Sequence, residues 1–198
     1  MRPKACLKAL APLRKRSPFS SRDARKRGVS SAALSHYVKT GKLRRVRRGM
    51  YQDAAYKNRS PSLWSDLVEA VHSVPGGIVC LISALSIYDL TEELPRQHWI
   101  AIRHETSSKS TRLVKITRFR DTELGRTEIE LDGFTLPIFD RERTIIDAFR
   151  LLSRETAIKA LKMALQKSGK NRLDLRKLEA YAKQLRFDIT PYLLTAMT

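Results

Sequence analysis

The apolar positions divide this chain into stretches of different period. Leu7, Leu10 and Leu13 recur at helical spacing and predict a short first helix over Lys4–Arg16, with Cys6 beside the stripe and Pro12 within it. Ser17-Pro18 interrupts the pattern. After Phe19, the run Ser20-Ser21-Arg22-Asp23 offers a serine cap for a second helix ending near Arg27. Gly28 supplies a turn tolerant of positive φ, and Val29 can pack beneath it. Ser30 or Ser31 caps a third helix that runs to about Thr40, and Gly41 ends it. Leu34, Tyr37 and Val38 put that helix's apolar side on the core. Leu43, Val46, Met50 and Tyr51 then flank a tight Arg48-Gly49 turn, which predicts two short antiparallel strands. Helices followed by a hairpin give the order of a winged helix-turn-helix domain, assigned to residues 1–57.

The stretch Tyr56–Pro61 is polar and helix-breaking, so it reads as a linker, with Ser60 and Pro61 suited to the cap and first position of the next helix. Residues 58–198 form the second domain. Leu63, Trp64, Leu67, Val68 and Val71 follow helical spacing up to Pro75-Gly76-Gly77. Residues 78–82 are a short buried apolar run, and 83–90 read as a helix. Strand-like stretches follow at 97–103, 113–119 and 134–139, with 104–110 an exposed loop. Asp140 can cap a helix carrying Ile145, Ile146, Ala148, Phe149 and Leu152, and two amphipathic helices follow near Arg154–Gln166 and Asp174–Arg186. The fold class is therefore α+β: an N-terminal winged helix-turn-helix domain, then a mixed α/β domain with C-terminal helices. The segment from Asp188 to Thr198 matches no recognisable pattern.

Charge changes the picture. The 198 residues hold 39 Lys and Arg against 20 Asp and Glu, a net +19. Residues 1–60 carry 18 of the bases and only two of the acids, Asp23 and Asp53, so that segment is +16 and the remainder +3. A field this localised steers a polyanion to one module. No apolar run approaches the ~20 residues that span a bilayer. Lys8 and Pro12 break Leu7–Leu13, so no signal peptide is read there. Cys6 and Cys80 lack a C-x-x-C spacing; free thiols in a reducing cytoplasm are expected, with a disulfide left open by sequence. The expected location is the cytoplasm.

The third helix shows Ser31, Ala32, Ser35, His36 and Lys39 on the side away from its core residues. That face is short, polar and basic, as a helix lying in a major groove requires. Arg44, Arg45, Arg47 and Arg48 crowd the hairpin, where they can reach phosphates or, at the tip, the minor groove. Ser20, Ser21 and Arg22 at the second helix, Ser30 at the third, Lys42 before the hairpin and Tyr51 within it complete the expected DNA contacts. Duplex DNA is preferred over RNA, whose deep major groove shuts out a helix, and no exposed aromatics stand ready to stack single strands.

The second domain shows no P-loop, G-x-G-x-x-G, H-E-x-x-H or G-x-S-x-G. His36, His72, His98 and His104 lack metal-ligand spacing. Glu128, Glu130 and Asp132 alternate, and on one strand face they could hold a divalent metal for hydrolysis; a solvated edge strand is the preferred reading. No catalytic residue, metal or cofactor is expected.

Three stretches resemble the AbiEi-type antitoxins of bacterial type IV toxin–antitoxin (abortive infection) systems. Phe19–Tyr51 resembles that family's winged helix, including an R-G-x-Y wing. Ser83–Thr91 is similar to a small-residue helix of its second domain. Glu142–Phe149 resembles its R-T-x-x-D helix, which Arg143, Thr144 and Asp147 match. The resemblance implies a non-enzymatic antitoxin and autorepressor that binds inverted repeats upstream of its own operon. It also implies a second domain that helps place the helix on DNA and counteracts a nucleotidyltransferase-like toxin in phage defence, with no stable complex required. Two other readings stand beside it: a stand-alone winged-helix regulator whose second domain senses a ligand or partner, and a metal-dependent DNA hydrolase.

Overall fold

The computed structural model describes residues 7–15, 19–47, 49–55, 64–93 and 95–197. They fall into two compact units. One takes in the chain up to His72 together with Glu130–Thr135, and the other takes in Ser73–Ile129 and Leu136 onward.

The first unit is a small helical module closed by a three-stranded sheet. Helix α1 spans Ala11–Lys15, and β1, Phe19–Ser20, leads into α2, Ser21–Lys26. Ser20 caps α2: its hydroxyl accepts from the Asp23 amide at 3.1 Å, and the Asp23 carboxylate accepts in return from the Ser20 amide, a reciprocal capping box. Gly28 takes φ +75° and turns the chain into α3, Ser31–Lys39, which Ser30 caps through the Ala33 amide at 3.2 Å. At the far end Gly41 takes φ +67°, and the Lys42 amide donates to the Tyr37 carbonyl, a Schellman closure. Strands β2, Leu43–Arg47, and β3, Met50–Asp53, form the hairpin, and β1 adds to the outer side of β3. Leu10, Phe19, Ala24, Val29, Leu34, Tyr37, Leu43 and Tyr51 make one core. Helix α4 spans Ser65–Ser73. The expected linker and its Ser60-Pro61 cap lie outside the described residues.

Val46 departs from the sequence expectation. It is one of the four apolar residues that flank the turn, but β2 is bulged between Arg45 and Arg47, and Val46 is 44% exposed. A bulge inserts one residue and rotates it out of the alternating pattern.

The second unit is built on a mixed five-stranded sheet in the order β6-β5-β4-β8-β7. Its strands are β4, Ile78–Val79; β5, His98–Arg103; β6, Val114–Phe119; β7, Arg126–Leu131; and β8, Phe134–Phe139. Central β4 pairs antiparallel with β5 and parallel with β8, and β5 pairs parallel with β6. Helix α5, Leu81–Ile87, starts inside the buried apolar run of residues 78–82, two residues before the expected start at 83: Leu81 takes φ +48° and turns the chain from β4 straight into helix. Helices α6, Arg141–Leu151, α7, Arg154–Gln166, and α8, Leu175–Gln184, follow with side-chain caps from Asp140, Ser153 and Asp174. A further helix, α9, spans Thr190–Met197 and was not foreseen from sequence. Its Leu193, with Ile189 just before it, is buried in the helical core of this unit, and Tyr192 packs on Phe149 and Phe187.

Asp132 is also displaced from its expected place. Asp132 and Gly133 take φ of +54° and +78° and form the tight turn between β7 and β8, as Asp-Gly does in two-residue hairpins. The three carboxylates therefore do not share one strand face. Glu128 and Glu130 lie on β7, and Glu130 accepts a hydrogen bond from the Thr135 hydroxyl. Among the described residues no group of three His, Cys, Asp or Glu side chains could hold a metal ion.

Gly125 offers a direct test of the packing. It sits at φ +68°, and a Cβ there would lie 2.6 Å from the Arg143 Cβ. Gly76 has a similar φ of +72° with nothing within 4 Å of the same position. Gly76→Ala is expected to cost the ~1–2 kcal/mol of a left-handed alanine, and Gly125→Ala a further ~1–3 kcal/mol of overpacking. Urea unfolding of both variants measures the difference; equal losses would refute the close approach.

Candidate nucleic-acid interface

Burial separates the two sides of α3. Leu34 and Tyr37 are buried in the module's core and Val38 packs against it, while Ser31, Ala32, Ser35, His36 and Lys39 are all exposed. In a helix-turn-helix the second helix reads base edges with its N-terminal residues. Here those positions carry small polar or apolar side chains, Ser31, Ala32 and Ser35, so the helix backbone can approach the groove floor. Lys39, in the last turn, carries a charge suited to a flanking phosphate. Ser30 spends its hydroxyl on the cap and is itself exposed.

The hairpin flanks this helix, with α3 packed against β2. Arg44 and Arg45 are exposed, and the Arg44 Nη2 donates to the Gln52 side chain at 2.6 Å, which fixes the guanidinium over the hairpin. Lys42 is exposed at the entry to β2. Arg47 ends β2, and Arg48 lies outside the described residues. Ser21 and Arg22 open α2; Ser21 is half-buried with its amide donating to the Gly49 carbonyl at 2.7 Å, and Arg22 is exposed.

Two expected contact residues face inward. Ser20 is buried, and its hydroxyl is committed to Asp23. Tyr51 is buried in the core, its ring stacked on Phe19 at 6.3 Å between centroids. Both hold the scaffold: the R-G-x-Y tyrosine anchors β3, and the serine fixes the start of α2. Sequence reasoning passed over Arg25, Lys26 and Arg27, which are exposed at the end of α2 and in its cap. The signal was present as three consecutive cations before a turn glycine.

The two acids of residues 1–60 are spent internally. Asp23 closes the capping box. Asp53 accepts from Arg14 of α1 and from the Ala55 amide at 2.9 Å, clamping the first helix to the end of β3. Burial pushes the Asp53 carboxyl up, but the Arg14 hydrogen bond, the Ala55 amide and the Arg14 charge together bring it below its ordinary value. A carboxylate depressed in the folded state contributes stability above its unfolded pKa of ~3.9 and loses it as pH falls through the folded value. Asp53→Asn is therefore expected to lower stability by up to ~1 kcal/mol at pH 7 and to converge with the wild type near pH 2.5. Thermal melts at the two pH values check this; a constant gap would assign the loss to packing.

The residues singled out in the second unit have other employment. Arg143 and Asp147 are both buried and pair with each other at 2.6 Å. Cys80 is a buried free thiol; burial and the Asp147 charge push it well above its ordinary value, against the opposing pull of Arg143. Cys6 lies outside the described residues. No described helix is long and apolar enough to cross a membrane.

Residues 8–52 match the family model described as transcriptional regulator, AbiEi antitoxin. The match covers α1 through β3, the module just described, and upholds over that segment the resemblance drawn from its residues. No curated protein matches the chain.

Proposed function

We infer, from an N-terminal module matched to the AbiEi antitoxin regulators and the polar, basic face that module presents, that this chain is a duplex-DNA-binding antitoxin and autorepressor. In this reading α3 enters the major groove, with Ser31, Ser35 and His36 meeting base edges. Lys39, Lys42, Arg44, Arg45, Arg47 and Arg48 meet phosphates, joined by Arg22 and by Arg25–Arg27 of α2. The target is inverted repeats upstream of its own operon. The second unit counteracts a nucleotidyltransferase-like toxin, with no stable complex required. The protein acts as a regulator and not as an enzyme. The observation that carries the reading is the one-sided α3: its small polar face points outward in a segment, residues 1–60, whose only two acids are tied to the scaffold.

Binding to the protein's own upstream region, measured across a salt series beside unrelated DNA, tests the proposal. Specific binding with a steep salt dependence is expected, because several phosphates are neutralised. Equal affinity for unrelated DNA would overturn the repressor reading. Ser35→Ala and His36→Ala should change which bases are preferred, by about 1–3 kcal/mol of discrimination at the positions they read. A base-preference profile identical to wild type in both variants would mean that another face of the module reads the DNA.

A further inference from the structure

The second unit contains a cavity of about 610 Å3 between the end of β6, helix α6 and the end of α8. Its volume falls within the roughly 300–1,000 Å3 of small-molecule sites. Its lining gathers arginines from three places: Arg118 and Arg120 come from β6 and the residue beyond it, Arg143 and Arg150 from α6, and Arg186 from the turn after α8. Arg143 is buried and spends its donors on Asp147 and on the Leu124 and Asp121 carbonyls, so Arg118, Arg120, Arg150 and Arg186 are the guanidiniums that can meet a ligand. Two carboxylates stand against them. Asp121 accepts from the Glu123 and Leu124 amides, and buried Asp147 accepts from Arg143 and Arg150. Arg118 is held in place by the Ser108 carbonyl at 2.9 Å. The Arg120 and Arg186 side chains are exposed and make no hydrogen bond or ion pair among the described residues. Leu151, 46% exposed, supplies an apolar patch on the same wall.

We propose that this cavity binds a phosphorylated small molecule of the nucleoside polyphosphate class. The guanidiniums of Arg118, Arg120, Arg150 and Arg186, on separate elements around one concavity, match a compact, multiply charged anion, since a planar fork can take two phosphate oxygens. Like charges held close together disfavour one another unless an anion sits between them. The Leu151 surface gives the uncharged part of the ligand an apolar contact. A concave site of this volume encloses a small ligand better than the convex backbone of a duplex. The inference is independent of the DNA-binding reading, which rests on the other unit.

Calorimetric titration of the full chain with ATP and with pyrophosphate tests it, using Arg120→Ala/Arg186→Ala and, as a control in the N-terminal module, Lys39→Ala. Saturable one-site binding is expected, weakened about tenfold for each arginine removed and changed less than twofold by Lys39→Ala. Circular dichroism should show the same melting curve for the double variant as for wild type. Pyrophosphate weaker than ATP would support a contribution from the Leu151 wall. Absence of saturable binding at millimolar ligand, or binding indifferent to the double variant, would overturn the proposal. So would a double variant that loses affinity for duplex DNA alone, which would assign these arginines to the DNA backbone.

Discussion

Replacing Asp147 with Ala is expected to cost about 3–5 kcal/mol of unfolding free energy, the loss typical when one member of a buried ion pair is removed. Arg143 and Asp147 are each 1% exposed and meet at 2.6 Å one helical turn apart on α6. The Arg143 guanidinium also donates to the Leu124 and Asp121 carbonyls at 3.2 and 3.3 Å, and it lies over the Phe139 ring at 4.9 Å. It thereby stitches the loop 121–125 to the start of α6. Arg150 gives Asp147 a second partner at 2.9 Å. Burial raises the Asp147 carboxyl above its ordinary value, and the two guanidiniums draw it part of the way back. The attraction is thus largely spent on desolvation, and the cost of the variant comes from stranding the Arg143 charge. Arg143→Met/Asp147→Leu, which removes both charges, is therefore expected to lose well under the sum of the single variants. Urea unfolding of the three proteins measures both effects. An Asp147→Ala loss below 1 kcal/mol, or additive singles, would show that the pair does not hold the loop.

Wherever local chemistry fixed the backbone, the elements were legible in the sequence. Gly28, Gly41 and the serine caps bounded α2 and α3, and Asp140 and Asp174 marked where α6 and α8 begin. What escaped depended on tertiary context. Leu81 adopts a left-handed conformation in the middle of an apolar run, which no periodicity reveals, because burial on every side erases the pattern. Val46 counted among the hairpin's apolar positions by residue type alone, and the bulge that exposes it is a feature of strand pairing and not of the strand alone. Helix α9 had a signal that went unread: Ile189, Tyr192, Leu193 and Ala196 keep helical spacing behind Asp188, whose carboxylate accepts from the Thr190 amide. On the candidate interface, the exposed side of α3 was readable as the complement of Leu34 and Tyr37. Ser20 and Tyr51 were not, since a serine beside a helix start and a tyrosine in a basic wing serve equally as contacts or as scaffold until burial decides.

The largest effect on function is expected from Lys39→Ala/Lys42→Ala/Arg45→Ala. These cations lie at the end of α3, before the hairpin and on β2, all exposed, so the triple variant removes charge from both helix and wing without touching the core. Each phosphate contact contributes about −0.9 to the slope of log affinity against log salt. Three lost contacts should flatten that slope by up to ~2.7 and weaken binding at ~0.1 M salt by about 10²–10³-fold. The loss should be nearly the same on the upstream repeats and on unrelated duplex, because phosphates carry no sequence. That uniformity separates the cations from Ser35 and His36, whose replacement should alter the ratio between sites and leave the slope almost unchanged. A triple variant with an unaltered salt slope would place these side chains away from the backbone, and the DNA would then have to lie on the other cationic surface of the module, at Arg25, Lys26 and Arg27. A loss confined to the upstream repeats would mean that at least one of the three reads bases, with Lys39 the candidate because it shares the exposed face of α3 with Ser35 and His36.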